Sequence, residues 1–253
     1  MFSPRFHKVN NVDEAVELAN NLKEEGGYDL FRGQTKNWPL KSSFGRQVDK
    51  NKKDEALEKM ARFEWWVKRI KGLEEIAKHP DDMIAVAQHY GIPTNFVDFT
   101  ASPRVAGFFA SYGRLEEENV ESCILCLNSQ ELIKFWKRLP SEYSPPPEIL
   151  YLKVQNLWRL EAQHGVFLFC PYANFEQIYD LDRIYFPYSG QISSVKEDEI
   201  FPERKSQLEI LLDQYFMNEL LIDGEKNIPV GMTRYKIPEI KETLEGHILN
   251  IKY

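Results

Sequence analysis

Apolar positions along the chain recur at two spacings, and the places where one gives way to the other mark out its elements. Val12, Ala15, Val16, Leu18, Ala19 and Leu22 repeat at helical spacing and predict a helix over 12–23, capped by Asn10 or Asn11 and ended by Gly26 and Gly27. Tyr28 to Phe31 is a short apolar run that predicts a strand with Arg32 and Gly33 at its end. Residues 36–46 lose periodicity and predict a loop carrying Lys36, Lys41 and Arg46, with Trp38 and Phe44 as anchors. Ala56, Leu57, Met60, Phe63, Trp66, Val67 and Ile70 then form one stripe of a long helix over 50–71, a pattern that signifies core packing. A further helix starts at Pro80 and Asp81 and closes on Gln88, His89 and Tyr90, stopped by Gly91.

The segment from Gln88 to Ser111 holds more polar chemistry than packing requires. Phe96, Val97 and Phe99 predict a short buried strand interrupted by Asp98. An acid among apolar neighbours is costly unless paired, so Asp98 is expected to be structural, accepting from backbone donors or from an arginine such as Arg104. Thr100 and Ser102 follow, and Pro103 opens a helix with Val105, Ala106, Phe109 and Ala110 on one face. The two hydroxyls suit either helix caps or contacts to a ribose. An arginine at the end of an early strand can grip a phosphate or carboxylate, or tie a turn to carbonyls. Gly33 beside it would let a ligand approach the backbone. His89 at a helix end can be a structural hydrogen-bonding residue or a ligand contact.

Further on, 121–127 reads as a strand containing Cys123 and Cys126. Positions three apart on a strand face opposite ways, so this pair predicts packing rather than a metal or redox site. A helix over 128–137, a loop at Pro145 to Pro147, a strand over 149–154 and another over 166–169 follow. A strand at 184–187, a helix over 203–218 and a tail at 233–253 with a short closing alternation complete the pattern. The fold class is α+β, a single domain with a helical N-terminal part.

The composition bounds the function classes. With 253 residues, 43% hydrophobic and 28% charged, the chain is an ordinary globular one with a sizeable core. A net charge of −7 argues against bulk electrostatic attraction to nucleic acid, while leaving room for a local basic groove. No apolar run approaches the ~20 residues of a membrane span, so no membrane partner is expected. Met1 to Asn10 has no apolar core of a secretory signal, and three cysteines suit a reducing compartment, so a cytoplasmic location is expected. Neither glycine-rich phosphate loop spacing occurs, and no carboxylate cluster has the spacing of a metal-dependent nuclease.

FRGQ at Phe31 to Gln34, QHYGIPTNFVDFT at Gln88 to Thr100 followed by SPRVAGFFA, and RLEAQHGVF at Arg159 to Phe167 together resemble the FRG domain family. Asn95 stands where that family has arginine, and Phe99 where it has tryptophan. The resemblance divides the chain into an N-terminal helix at 1–27, a core at 28–170 and an extension at 171–253 completing the same domain. The order of motifs is in turn similar to that of ADP-ribosyltransferases. In those enzymes an arginine, a hydroxyl-bearing turn and a Glu-containing pair line a split between two parts of a mixed sheet and bind NAD. The similarity implies Arg32, Glu161 and Gln163 as catalytic residues, with Gln163 where those enzymes carry glutamate. It implies Arg32, Gly33, His89, Tyr90, Thr100 and Ser102 as nucleotide contacts, and NAD as substrate. The implied function is an ADP-ribosyltransferase or NAD-hydrolysing enzyme, acting as an intracellular toxin or in phage defence, with a protein or nucleic-acid acceptor if it transfers. The alternative is a non-catalytic nucleotide-binding or protein-interaction module. Arg32, His89, Thr100 and Gln163 are expected to converge on one cleft.

Overall fold

Two strands in the middle of the sheet barely touch, and that local failure of pairing shapes the molecule. The computed structural model describes residues 5–113, 120–169, 171–172, 175–188, 190 and 192–224. In chain order these form β1 (Phe6–Lys8), α1 (Val12–Glu24), β2 (Leu30–Gln34), α2 (Lys50–Val67), α3 (Glu74–Lys78), α4 (Pro80–His89), β3 (Phe96–Thr100) and α5 (Pro103–Ser111). Then come β4 (Glu121–Leu127), α6 (Ser129–Trp136), β5 (Glu148–Leu150), α7 (Trp158–Ala162), β6 (Gly165–Phe169), α8 (Phe175–Ile178), β7 (Asp182–Pro187), α9 (Glu197–Ile200) and α10 (Gln207–Gly224). The seven strands make one sheet in the order β1-β7-β4-β2-β3-β6-β5. Only β1 and β7 run parallel; the other neighbours are antiparallel. Strands β2 and β3 meet through the single pair Phe31–Thr100, whereas β3 pairs with β6 from Phe96 to Thr100.

Alternation along the strands sends apolar residues to both faces. Phe31, Ile124, Cys126, Ile184 and Phe186 pack with Val12, Val16 and Ala19 of α1 and Val105, Ala106 and Phe108 of α5. Leu30, Val97, Phe99, Cys123, Leu125 and Leu168 face the other way, against Leu132 and Trp136 of α6 and Phe175 of α8. The two cysteines are thus buried in different cores, as their spacing predicts. A third core joins Phe63, Ile76, Val86, Leu212 and Phe216 of the helical region to Phe96 and Phe167 of the sheet.

Two capping signals act as read: Asn11 accepts from the Glu14 amide to start α1, and Ser102 accepts from the Val105 amide to start α5. Asn128, expected inside its helix, instead caps α6 by accepting from the Glu131 amide. Other expectations shift. β2 starts at Leu30 and runs on through Gln34, so Arg32 and Gly33 lie inside the strand. Helix α2 ends at Val67, β5 is limited to three residues, and β1 was not anticipated. The RLEAQ segment is a short helix, α7. The tail at 233–253 lies outside the described residues. No helix among the described residues is long and apolar enough to cross a membrane.

Gly33 has a different reason from the one expected. A Cβ there would lie 1.8 Å from the carbonyl oxygen of Ala106 and 2.6 Å from the amide nitrogen of Ala110. The backbone of α5 therefore rests directly on β2, and only glycine permits that approach. Gly107, on another side of α5, leaves room for Val16 of α1: a Cβ there would meet its Cγ2 at 2.3 Å. Because the obstacle at Gly33 is backbone, Gly33→Ala should destabilise by at least the ~1–3 kcal/mol typical of overpacking. Gly165→Ala, whose new Cβ would make ordinary contacts from 3.4 Å outward, serves as the comparison. Thermal unfolding of both variants checks this, and a Gly33→Ala protein as stable as the parent contradicts the packing assignment.

Candidate functional site

The gap between β2 and β3 is bridged by a side chain. The Arg32 Nη1 donates to the Asp98 carbonyl oxygen at 2.6 Å, taking the place of a ladder hydrogen bond, and stands 3.8 Å from the Asp98 Oδ2. Asp98 corrects the expectation of a buried structural acid: its side chain is 60% exposed, while that of Arg32 is 21% exposed. Arg104 is not its partner; it pairs with Glu199 and donates to the Ser194 carbonyl. Asp98 is instead oriented by Gln88, whose Nε2 donates to its Oδ1 at 2.6 Å and whose Oε1 accepts from the Thr94 hydroxyl. A chain of polar contacts therefore runs Thr94, Gln88, Asp98, Arg32.

A cavity of about 400 Å³ opens at this fork. Strands β2 and β3 contribute Arg32, Gly33, Asp98 and Thr100; the end of α4 contributes Gln88 and His89; α7 and its turn contribute Arg159 and Gln163. Phe109, Phe167 and Phe201 supply apolar wall. Arg32 uses one of its donors on Asp98, and its Nε is buried with no hydrogen-bond partner among the described residues. Burial works against its charge and Arg46 adds to that, while Asp98 favours it. A guanidinium keeps its proton under these influences. Arg159 lies with its guanidinium carbon 4.8 Å from the Phe201 ring centroid and makes no ion pair with a described residue.

His89 is pushed down to about 4 from its ordinary 6.5, first by burial and then by the positive charges of Arg159 and Lys205. It is therefore neutral at pH 7, with one ring nitrogen to donate and one to accept. Thr100 has less freedom. Its hydroxyl donates to the Gln163 carbonyl at 2.8 Å and accepts from the Ser102 amide at 3.1 Å, tying the end of β3 to the turn after α7. The Ala101 amide reinforces that tie by donating to the His164 carbonyl at 3.2 Å, and His164 holds a left-handed φ of 46°. The Gln163 Nε2 donates to the Ile200 carbonyl at 3.4 Å.

Of the residues the sequence singled out, Arg32, Gly33, His89, Thr100 and Gln163 line this one cavity. Three do not. Tyr90 stacks on Phe216, with ring centroids 4.4 Å apart, and its hydroxyl donates to the Glu209 carbonyl at 3.3 Å, so it belongs to the packing of α4 on α10. Ser102 caps α5. Glu161 is exposed on α7 and away from the cavity. The reason is geometric. A pair two apart shares a face only in a strand; on α7 the positions that share a face are three and four apart, which joins Arg159 to Gln163 and turns Glu161 away. The carboxylate that lines the cavity is Asp98. Arg159 was within reach of sequence reasoning, since it opens the RLEAQHGVF motif; Phe201 lies in a segment with no such signal.

The fold and site define an α+β protein whose single sheet forks around a small, arginine-bearing cavity. The FRG domain family model matches residues 29–119 of the chain. That span supplies Arg32, Gln88, His89, Asp98 and Thr100, while Arg159, Gln163 and Phe201 lie beyond it. No curated protein and no solved structure matches the chain.

The His89 environment sets a pH dependence. The unfolded chain takes up this proton near the ordinary 6.5 and the folded chain only near 4, so between those values the unfolded state binds more protons. The contribution is fully present above about pH 6.5 and declines as pH falls toward 4, by up to about 3 kcal/mol. Urea unfolding at pH 4.5 and pH 7 should show a smaller difference for His89→Gln than for the parent. Equal differences contradict the assignment.

Proposed function

We propose that the forked cavity binds a dinucleotide of the NAD class and that the protein breaks its nicotinamide–ribose bond, as an ADP-ribosyltransferase or an NAD hydrolase. The observation that carries this reading is the meeting of Arg32, with unused and partly buried donors, and the Asp98 carboxylate in one cavity. Arg32 supplies a planar fork of donors for the pyrophosphate. Neutral His89 offers a donor or acceptor to a ribose hydroxyl. Phe109 and Phe201 offer faces and edges for the nicotinamide ring. In the reaction the bond from the ribose C1′ to the nicotinamide nitrogen breaks, and its electron pair leaves with nicotinamide. Positive charge develops on the ribose, and Asp98 stabilises it. Water or an acceptor side chain then donates an electron pair to C1′ and loses a proton. An NAD-consuming protein of this kind fits a role as an intracellular toxin or in phage defence.

The same site also favours a second reading, a nucleotide-binding module without turnover. Asp98 already accepts from Gln88 and pairs with Arg32, and the Glu-x-Gln pair does not face the cavity as a unit.

Calorimetry with NAD and an assay of free nicotinamide, run on the same proteins, separate these outcomes. Arg32→Ala should weaken NAD binding about ten- to a hundredfold, the ~1.5–3 kcal/mol of a charge-assisted hydrogen bond. Arg32→Lys, which keeps the charge and loses the fork, should lie between it and the parent. Asp98→Asn should bind within a few-fold and release no nicotinamide, because the carboxylate acts on the transition state. Glu161→Gln should leave both intact. A parent that binds NAD and releases nothing supports the module; a folded parent that does not bind at millimolar NAD overturns both readings.

A further inference from the structure

A second hollow of about 200 Å³ adjoins the cavity and shares Arg32, Gln88 and Asp98 with it. Its remaining polar wall is Lys41, Ser43 and Arg46, from the loop that the sequence marked as basic and aromatic. That loop is held firmly, though by other residues than expected. Trp38 is mostly exposed, while Leu40 and Ser42 are buried. Ser43 and Thr94 bond reciprocally: the Thr94 amide donates to the Ser43 Oγ at 3.0 Å, and that hydroxyl donates to the Thr94 carbonyl at 3.3 Å. The Phe44 amide donates to the same carbonyl at 3.0 Å, and the Gly45 amide to the Ser42 Oγ at 3.0 Å. Thr94 is also the residue that orients Gln88, so the loop is fastened to the network around Asp98.

The charges on this loop have no counterpart. Lys41 and Arg46 make no ion pair with any described residue, and Arg46 lies close enough to Arg32 to disfavour its charge. Three cations therefore surround a hollow with one carboxylate, Asp98, which Arg32 already engages. Like charges gathered at a fixed concave surface are unfavourable until an anion joins them. The chain as a whole carries −7, so this local excess runs against its overall balance.

We infer that Lys41, Arg46 and Arg32 form an oxyanion subsite for contiguous phosphoryl groups. Resting on the reading above, it assigns the ligand's pyrophosphate to the smaller hollow and its ribosyl–nicotinamide to the larger cavity. The required ligand class is then a nucleotide with a diphosphate link, not a nucleoside.

Inorganic pyrophosphate is the direct probe, with calorimetry on the parent, the Lys41→Ala/Arg46→Ala double variant, and Lys36→Ala. Lys36 lies on the same loop, is exposed and does not line the hollow, so it controls for general charge. Pyrophosphate should bind the parent, bind Lys36→Ala equally, and bind the double variant about tenfold or more weakly. NAD affinity should fall in parallel in the double variant. No pyrophosphate binding by the parent, or equal losses in Lys36→Ala and the double variant, overturns the subsite. NAD binding that the double variant retains in full overturns it while leaving the NAD reading in place. Pyrophosphate bound through Lys41 and Arg46 by a parent that ignores NAD supports the subsite and removes the NAD reading.

Discussion

The Arg32 guanidinium bridging to the Asp98 carbonyl is the contact on which the site depends. Beyond the pair Phe31–Thr100 the backbones of β2 and β3 no longer satisfy one another. Strand edges inside a sheet leave amides and carbonyls that need partners, and a gap there would close or flood without them. A long, planar, multi-donor side chain can span such a gap where a backbone bond cannot. The bridge uses one donor and leaves the buried Nε without a partner among the described residues, so one residue both holds the fork and furnishes its charge. Gln88 performs a related task from α4. Its amide has a donor end and an acceptor end, and it spends one on Asp98 and the other on Thr94, which fixes the carboxylate without adding charge.

Much of the framework was legible because it follows from local rules. Asn11 and Ser102 cap helices at the positions their residue types suggest, and Pro80 and Pro103 open helices where proline is favoured. Strand β4 shows as an apolar run, and its two cysteines separate to opposite faces as strand geometry requires. Strand β1 was not legible: three residues give no periodicity, and its place comes from parallel pairing with β7, far away in the chain. Helix α7 was missed for the same reason, since five residues seldom display a face. Glu161 and Gln163 were paired by the motif resemblance alone, and a two-residue spacing that means the same side in a strand means nearly opposite sides in a helix.

Asp98 and Gly33 were misread for a different reason: their meaning lies in a neighbour that the local sequence does not name. An acid between Val97 and Phe99 looks buried if the strand is covered on both faces. Here its own face opens at the fork, and the exposure follows from lost pairing with β2 rather than from the strand itself. Gly33 follows a potential ligand arginine and invites a ligand explanation, but the backbone of α5 fills the space a side chain would need. Both cases show a motif serving two ends. Of its polar members, Ser102 and Tyr90 serve packing or capping, and Thr100 spends its hydroxyl on the turn after α7.

That division of labour explains how so few groups can set the character of the cavity. Arg32 and Arg159 bring two fixed positive charges to its wall and Asp98 one negative charge. His89 adds none at neutral pH, because burial first, and then the positive charges of Arg159 and Lys205, hold its proton off. The balance is positive in a chain of net charge −7, so the local charge at the cavity runs against the protein's overall field. An anion entering there would reverse the pressure on His89, since a nearby negative charge favours the imidazolium. Protonation of His89 and anion binding are thereby linked: each raises the affinity for the other, by the same factor.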